Sequence, residues 1–337
     1  MRFGYSDTCL EHTPGARHPE SPDRLRAIRE GLKRKHGVEY VEADPAPVDV
    51  IAAVHDRSYV ERLEEFCVGG GGQWDPDTTA VVETWDAVVQ SAGLACWAAE
   101  SALEGADGRE TPFSIGRPPG HHAIEDDAMG FCFVNNVAVA AQHAIDAHGV
   151  DRVAIIDWDV HHGNGTQDIF YDRGDVYSVS IHEAGLYPGT GQADEIGEGG
   201  GEGTTMNVPI LSGSEDSAYV RALDGLVIPA IESFDPGLLL VSAGFDAHRH
   251  DPISRVRLST EGYAVMTDRL RTLSDTVDAP LAFVLEGGYG LEVLADCVAI
   301  VHETFDGRTP IVPEGGVDGE IESTFKSVAD AHELDYS

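Results

Sequence analysis

Short apolar runs punctuate the chain and set its rhythm. The clearest are "PFSIG" (112–116), "RVAIIDWDV" (152–160), "VYSVSIH" (176–182), "GLLLVSAGFD" (237–246) and "LAFVLEGGY" (281–289). Runs apolar on both faces predict strands buried in a parallel sheet. Between them, apolar positions recur with helical spacing. "SPDRLRAIREGLKRKHG" predicts a helix with Ser21 as N-cap, Pro22 in the first helical position and Gly37 at the close. Further helices are expected over 79–103, 135–148, 215–233, 260–273 and 291–305. This alternation predicts one α/β domain. "VGGGGQWDPDT" and "GEGGGEGTT" read as surface loops.

The strands share a second property. "PFSIG" runs into "RPPGHH", "RVAII" into "DWDVHHGNG", "LLLVSAG" into "FDAHRHD", and "LAFVLEGG" into Tyr289. Ligands of open parallel sheets bind beyond the carboxyl ends of the strands, so these polar segments are expected to meet on one rim.

In an extended strand, residues two apart point the same way, which places Asp157, Asp159 and His161 on one face. An aspartate and a histidine sharing a face suit a divalent metal such as zinc, and Asp246 at another strand end offers a further carboxylate. Three protein ligands would leave an open position for water. An isolated DxDxH also occurs as an ordinary polar strand end; the coincidence of several such ends makes the metal reading stronger. His121 and His122 are candidate general base and acid, with Asp157 and Asn164 free to orient their rings. The two glycines before Tyr289 let its hydroxyl reach a developing oxyanion.

The motifs "RHPESPDRL", "VHDRSYVERL", "DPDT", "RPPGHHA", "GFCFVNN", "DWDVHHGNGTQDIFY", "SIHEAGLYPGTG", "NVPI", "SAGFDAH" and "EGGYG" occur in that order. Through them residues 1–305 resemble the histone deacetylase superfamily, which includes acetoin-utilisation proteins and acetylpolyamine amidohydrolases. The resemblance implies an arginase-like α/β domain over 1–309, with an eight-stranded parallel sheet between helices and the active site at the carboxyl ends of its strands. The acidic tail, 310–337, is expected either to pack as a terminal helix or to stay loose.

The resemblance further implies zinc on Asp159, His161 and Asp246, tandem catalytic histidines His121 and His122 with His122 as proton shuttle, and a carbonyl-polarising Tyr289. Asp157 matches the partner of His121. Gly130 and Phe131 of "GFCF", with Tyr187 of "GLYPG", match an acyl-lysine tunnel; Tyr187 stands where phenylalanine is usual. Asp75 or Asp77 matches a rim carboxylate. Ile253 of "HDPIS" stands where polyamine-selective relatives carry a glutamate. Asn164 follows the class II pattern, where class I has aspartate, and Tyr289 is kept where weakly active relatives have histidine. A potassium ion is implied behind the zinc, on the Asp157 and Ser180 side chains and the carbonyls of Asp157, Asp159, His161 and Ile181. His162, His182 and Cys132 read as supporting or packing residues, and His55 has no role that the sequence assigns.

Charge changes the picture of partners. There are 59 acidic against 22 basic residues, a net charge of −37. Such a surface repels nucleic-acid backbones and anionic membranes. It either attracts cationic ligands or reflects a high-salt, halophilic cytoplasm; its spread along the whole chain favours the second. Five cysteines without a CxxC indicate neither a disulfide framework nor a cysteine zinc site. The opening "MRFGYSDTCLEH" lacks a signal peptide's apolar stretch, which points to a cytoplasmic protein.

The expected activity is therefore zinc-dependent hydrolysis of an N-acetyl amide, foremost acetyl-lysine in proteins, with a small acetylated amine such as an acetylpolyamine as the alternative substrate. Self-association is left open. A zinc-bound acyl-lysine binding module without turnover would have no need of Tyr289 and both histidines. An arginase-like hydrolase would want two bridged metals and more carboxylates.

Overall fold

In the computed structural model, which describes residues 1–105, 111–313 and 316–336, the apolar runs become the central strands of one parallel sheet. The first half of the chain contributes β1 (Arg2–Gly4), α1 (Asp23–Leu32), β2 (Glu39–Val41), α2 (Val48–Ile51), α3 (Arg57–Val68), β3 (Gly72–Gln73), β4 (Thr79–Ala80), α4 (Thr84–Leu103), β5 (Pro112–Ser114), α5 (Asn136–His148) and β6 (Val153–Asp157). The second half adds α6 (Asn164–Phe170), β7 (Val176–Glu183), β8 (Thr205–Ile210), α7 (Asp216–Ala222), α8 (Ile228–Phe234), β9 (Leu238–Ala243), α9 (Thr260–Val277), β10 (Leu281–Leu285), α10 (Leu291–Phe305) and α11 (Gly319–Ala331). Among the described residues the main sheet has eight strands in the order β2-β1-β5-β10-β9-β6-β7-β8, and β3 and β4 form a separate antiparallel pair.

Every pairing of the main sheet is parallel, and the register places Ile155 of β6 beside Ser178 of β7 and Leu240 of β9. Alternation along β6 divides the core into two. Val153 and Ile155 face the layer built on α3, α4 and α5; Ala154 and Ile156 face the layer of α1, α7, α9 and α10. Burial on both faces explains why these strands carry apolar side chains at consecutive positions. Ile321, Phe325 and Val328 of α11 are buried in the second layer. No described helix is long and apolar enough to cross a membrane, and all five cysteines are buried and free of disulfides.

Several expectations need correction. The strand expected over 152–160 stops at Asp157, where the chain turns to bring polar groups to the rim. The helix expected from 79 begins at Thr84, because Thr79–Ala80 pair with Gly72–Gln73. The helix after Ser21 starts at Asp23 and ends at Leu32; Ser21 lends its carbonyl, not its side chain, to the Arg24 N–H (3.1 Å). The helix expected over 215–233 is interrupted by a π turn, Leu223–Val227, in which Ile228 N–H bonds back to Leu223. Pro229 just beyond has no N–H to continue the ordinary ladder. Strands β1, β2 and β8 were not expected. The first two hold three residues each, too few to carry a period.

Candidate active site

Four neighbouring strands, β5, β10, β9 and β6, deliver the chemistry at their carboxyl ends. His121 and His122 follow β5, Asp157 through His162 close β6, Asp246 follows β9, and Glu286 through Tyr289 follow β10. All are buried except Tyr289, which is half-buried.

Asp159, His161 and Asp246 present one ligand atom each within a single small cluster. His161 Nδ1 lies 3.0 Å from Asp159 Oδ1 and 3.2 Å from Asp246 Oδ2. Backbone donors fix the carboxylates: Gly287 N–H reaches Asp159 Oδ2 (2.8 Å), His161 N–H reaches Asp159 Oδ1 (2.9 Å) and Val160 N–H reaches Asp246 Oδ1 (2.9 Å). Asp246 Oδ2 is buried, with no hydrogen-bond donor among the described residues. Ligands about 2.0–2.1 Å from a tetrahedral zinc stand about 3.3 Å apart, so the donor set, the spacing and the orphaned oxygen fit such an ion. A β-carbon on Gly287 would overlap the carboxylates of both Asp246 and Asp159.

Asp159 and His161 converge in the turn beyond β6, not along an extended strand. Asp157 stands outside the cluster, its Oδ1 accepting the Asp159 N–H (2.9 Å). Burial opposes a charge on His161, but the hydrogen bond to Asp159 and the nearby negative charge of Asp246 outweigh it and raise the ring's pKa to about 10. A divalent ion entering the cluster would therefore displace a proton from His161.

The tandem histidines differ in their partners. His121 Nδ1 is 2.9 Å from Asp157 Oδ2; burial works against its cation, yet Asp159 and Asp157 raise its pKa to about 10. His122 Nδ1 is 2.7 Å from Asn164 Oδ1. The Asn164 amide nitrogen donates to the His122 carbonyl (3.2 Å) and faces Met129 Sδ (3.4 Å), which assigns its oxygen to His122. His122 must then carry its proton on Nδ1, leaving Nε2 as a free base. Burial, with His121 and His161 close by, holds His122 well below the usual imidazole range.

Tyr289 is steered through its backbone. Asp251 Oδ2 accepts the N–H groups of Tyr289 (2.7 Å) and Gly290 (2.9 Å). Burial raises the phenol well above its ordinary pKa, against the pull of Arg24, so the hydroxyl stays a donor. Phe131 packs edge-on against Tyr289 (5.8 Å between centroids), and Tyr187 does the same to His122 (5.1 Å). Phe131 holds a left-handed backbone, φ 69°, a conformation costing about 1–2 kcal/mol in a residue with a β-carbon. Its N–H bonds to Thr78 Oγ1 (3.2 Å). Gly130, also at positive φ, sits against His122 and Tyr187 with no room for a side chain.

Asp75 accepts the N–H groups of Asp77 (2.9 Å) and Thr78 (2.5 Å) and so shapes its own loop. Burial and Asp75 raise the pKa of Asp77, while the Gly130 backbone N–H opposes the rise. Both acids act on Tyr187, whose pKa is raised first by burial and then by them. Ile253 is half-buried, its N–H on Asp251 Oδ1 (3.1 Å). Behind the rim, Asp157 and Ser180 are register partners on β6 and β7, and Ile181 is fully buried next to them. Ser180 Oγ meets the Gly163 N–H (3.3 Å) and His182 Nδ1 (3.0 Å).

Sequence reasoning missed several members of this site. Glu286 accepts the N–H groups of Gly120 (2.7 Å) and His121 (3.1 Å), and burial raises its pKa to about 7. Its signal was present, since an apolar strand ends on it as β6 ends on Asp157. Arg24 donates through Nε to the Gly288 carbonyl (2.7 Å) and its guanidinium lies 5.1 Å from the Tyr289 ring. Arg117 and Glu20 form a fully buried two-pronged ion pair, 2.6 Å on each prong. Neither arginine could be told from a surface residue by pattern. His55, left without a role, accepts the Asn135 N–H (2.9 Å) at the start of α5 and donates to the Ile124 carbonyl (2.9 Å).

A profile of the histone deacetylase domain matches residues 18–305. The histone deacetylase-like amidohydrolase of Pseudomonas aeruginosa is 37% identical over 329 residues, covering 90% of this chain and 86% of that protein. A probable deacetylase of Methanothermobacter thermautotrophicus is 40% identical over 317 residues, 93% of each chain. The crystal structure of the HDA15 HD domain superposes with a TM-score of 0.89 at 35% identity, over 98% of this chain and 93% of that one. Profile, relatives and superposition together show that the chain belongs to the histone deacetylase family.

Proposed function

We propose that this amidohydrolase is zinc-dependent and removes the acetyl group from acetylated lysine side chains of proteins. The observation that carries the reading is the Asp159–His161–Asp246 cluster lying beside a histidine pair with unlike partners, a carboxylate for His121 and an amide for His122.

Asp159, His161 and Asp246 hold the zinc, which when bound supplies Lewis-acid polarisation of the substrate carbonyl and eases deprotonation of the attacking water. His122 accepts that proton at Nε2, because its Nδ1 proton is committed to Asn164. His121, held by its 2.9 Å contact with Asp157, is positioned beside His122 at the reacting centre. Tyr289 donates its hydroxyl to the oxyanion. His122 then returns its proton to the leaving amine. Phe131 and Tyr187 flank the acyl chain, Gly130 gives it clearance, and Asp75 or Asp77 receives the substrate backbone at the rim. Asp157, Ser180 and Ile181, with the carbonyls of Asp159 and His161, hold a potassium ion; the facing of Asp157 and Ser180 across β6 and β7 supports this. The net charge of −37 supports a high-salt cytoplasmic setting.

A second reading, acetylpolyamine hydrolysis, draws support from the two carboxylates near Tyr187. Ile253 weighs against it, because it offers no charge to a distal ammonium. Turnover of acetyl-lysine peptides, acetylspermidine and acetylputrescine by the purified protein separates the two. Peptide turnover is expected to dominate, to vanish on chelation and to return with zinc. Full activity after exhaustive metal removal would overturn the zinc assignment, and a higher kcat/KM for acetylpolyamines would overturn the lysine assignment.

A further inference from the structure

Away from the rim, α4 and α5 bring together a second set of metal-competent side chains. Glu100 lies near the end of α4, and His143 and His148 lie in the last turns of α5. Glu100 Oε1 is 2.7 Å from His143 Nε2 and 3.6 Å from His148 Nε2, and the two imidazole rings are 5.6 Å apart. One ligand atom from each residue falls within 4.8 Å of the others.

We propose that Glu100, His143 and His148 form a peripheral site for a divalent transition ion of zinc's kind, acting as a staple between α4 and α5. Two imidazoles and one carboxylate make a donor set for such ions rather than for magnesium or calcium, which prefer oxygen. An ion pair alone accounts poorly for the geometry. The carboxylate is within hydrogen-bond reach of His143 but not of His148, at 3.6 Å. The spacings 2.7 and 3.6 Å straddle the roughly 3.3 Å that separates ligands of a tetrahedral ion with 2.0–2.1 Å bonds, so small side-chain rotations close the site.

Access and field agree with this assignment. The side chains of Glu100, His143 and His148 are 40%, 18% and 29% exposed, which leaves room for an ion to enter and keep water in its remaining positions. Glu100 and His143 also line a cavity of about 490 Å³ with Glu42 and Asp44, and that lining holds no lysine or arginine. His148 is the last residue of α5, where the helix dipole favours positive charge.

The position defines a structural role. The opposite end of α5 holds the histidine turn, where Asn136 Nδ2 donates to the Pro118 carbonyl (3.0 Å), and Ser91 of α4 donates to the same oxygen (3.0 Å). The 13 residues of α5 at 1.5 Å each place the staple roughly 20 Å from that turn. Occupancy is expected to stiffen the layer without touching the chemistry.

Equilibrium dialysis of the full chain against zinc chloride, followed by metal analysis, tests the site. The readout is the difference between the wild type and two variants, His148→Gln and His143→Asn. Each variant is expected to bind one zinc fewer per chain, or to bind that zinc at least about tenfold more weakly, since even outer partners of ligands are worth that much. Basal turnover is expected to be unchanged, and zinc is expected to raise the Tm of the wild type more than that of either variant. Equal zinc uptake by the wild type and His148→Gln would overturn the proposal and place any excess metal on scattered surface carboxylates. His148 is exposed enough that His148→Gln decides the question even where His143→Asn fails to fold.

Discussion

Replacing Asn164 with aspartate tests the division of labour between the two histidines. In the native site the Asn164 oxygen accepts the His122 Nδ1 proton at 2.7 Å. A carboxylate there turns a neutral hydrogen bond into a charge-assisted one. Such bonds are worth about 1.5–3 kcal/mol against about 0.5–1.5 kcal/mol for neutral pairs. The difference, about 1–1.5 kcal/mol, favours the His122 cation, and 1.36 kcal/mol corresponds to one pKa unit. His122 starts well below the usual imidazole range, through burial and its neighbours His121 and His161. A raised pKa keeps it protonated, and unable to accept from water, up to a higher pH. The acidic limb of the kcat/KM profile is therefore expected to move up by about one pH unit in Asn164→Asp. Asn164→Leu, which removes the acceptor and frees the tautomer, is expected to lower kcat at every pH without that shift. A folded, metal-loaded Asn164→Asp enzyme whose acidic limb stays put or moves down would refute His122 as the base and Asn164 as its partner.

Tyr289→Phe removes the proposed oxyanion donor and is expected to lower kcat about 100- to 1,000-fold, with metal content unchanged on analysis; near-normal turnover would reduce Tyr289 to a packing residue. Gly287→Ala pushes a methyl group against Asp159 and Asp246 and is expected to weaken metal binding, measured by chelator competition, before it affects the fold. Arg117→Met leaves the Glu20 carboxylate buried with much of its compensation gone and is expected to cost about 3–5 kcal/mol in chemical denaturation. Glu20 is held well below its ordinary 4.5, mainly by Arg117 against its burial. The pair's contribution is therefore complete above that pH and lost as the pH falls through the depressed value. Molar potassium chloride is expected to raise the Tm over dilute buffer, by screening the net charge of −37 and filling the proposed potassium site; equal Tm values would count against both.

The buried centre of the sheet was legible because strands apolar on both faces leave continuous runs, and their polar ends named the rim. The reason offered for Asp159 and His161 did not survive. They meet through a turn beyond β6, tied by backbone N–H groups to carboxylates, and strand alternation only imitates that result over two residues. Edge strands such as β2 were illegible because exposed positions at a sheet margin impose little pattern. Arg24, Arg117 and Glu20 were illegible for a different reason. Glu20 and Arg24 sit fully buried in a segment rich in charges and prolines, Arg117 in a separate proline turn, and only long-range contacts, 97 residues apart for Arg117 and Glu20, distinguish a buried guanidinium from a solvated one. Glu286 was legible in principle, by the same signal that drew attention to Asp157.

The place of β10 has a consequence for how the protein is made. It is the last strand among the described residues, yet it lies in the middle of the sheet, hydrogen-bonded to β5 on one side and β9 on the other. During synthesis, the strands on either side of this gap are complete before Leu281 leaves the ribosome, and each presents an unpaired edge. Such edges are templates for wrong partners. The nascent chain therefore passes through a stage with two open halves and no closed centre. Glu286 and Tyr289 directly follow this strand, so closing the gap and completing the proposed catalytic rim are one event. Fragments that stop short of residue 285 are inactive on this account, and their aggregation tendency falls sharply once the final strand is supplied.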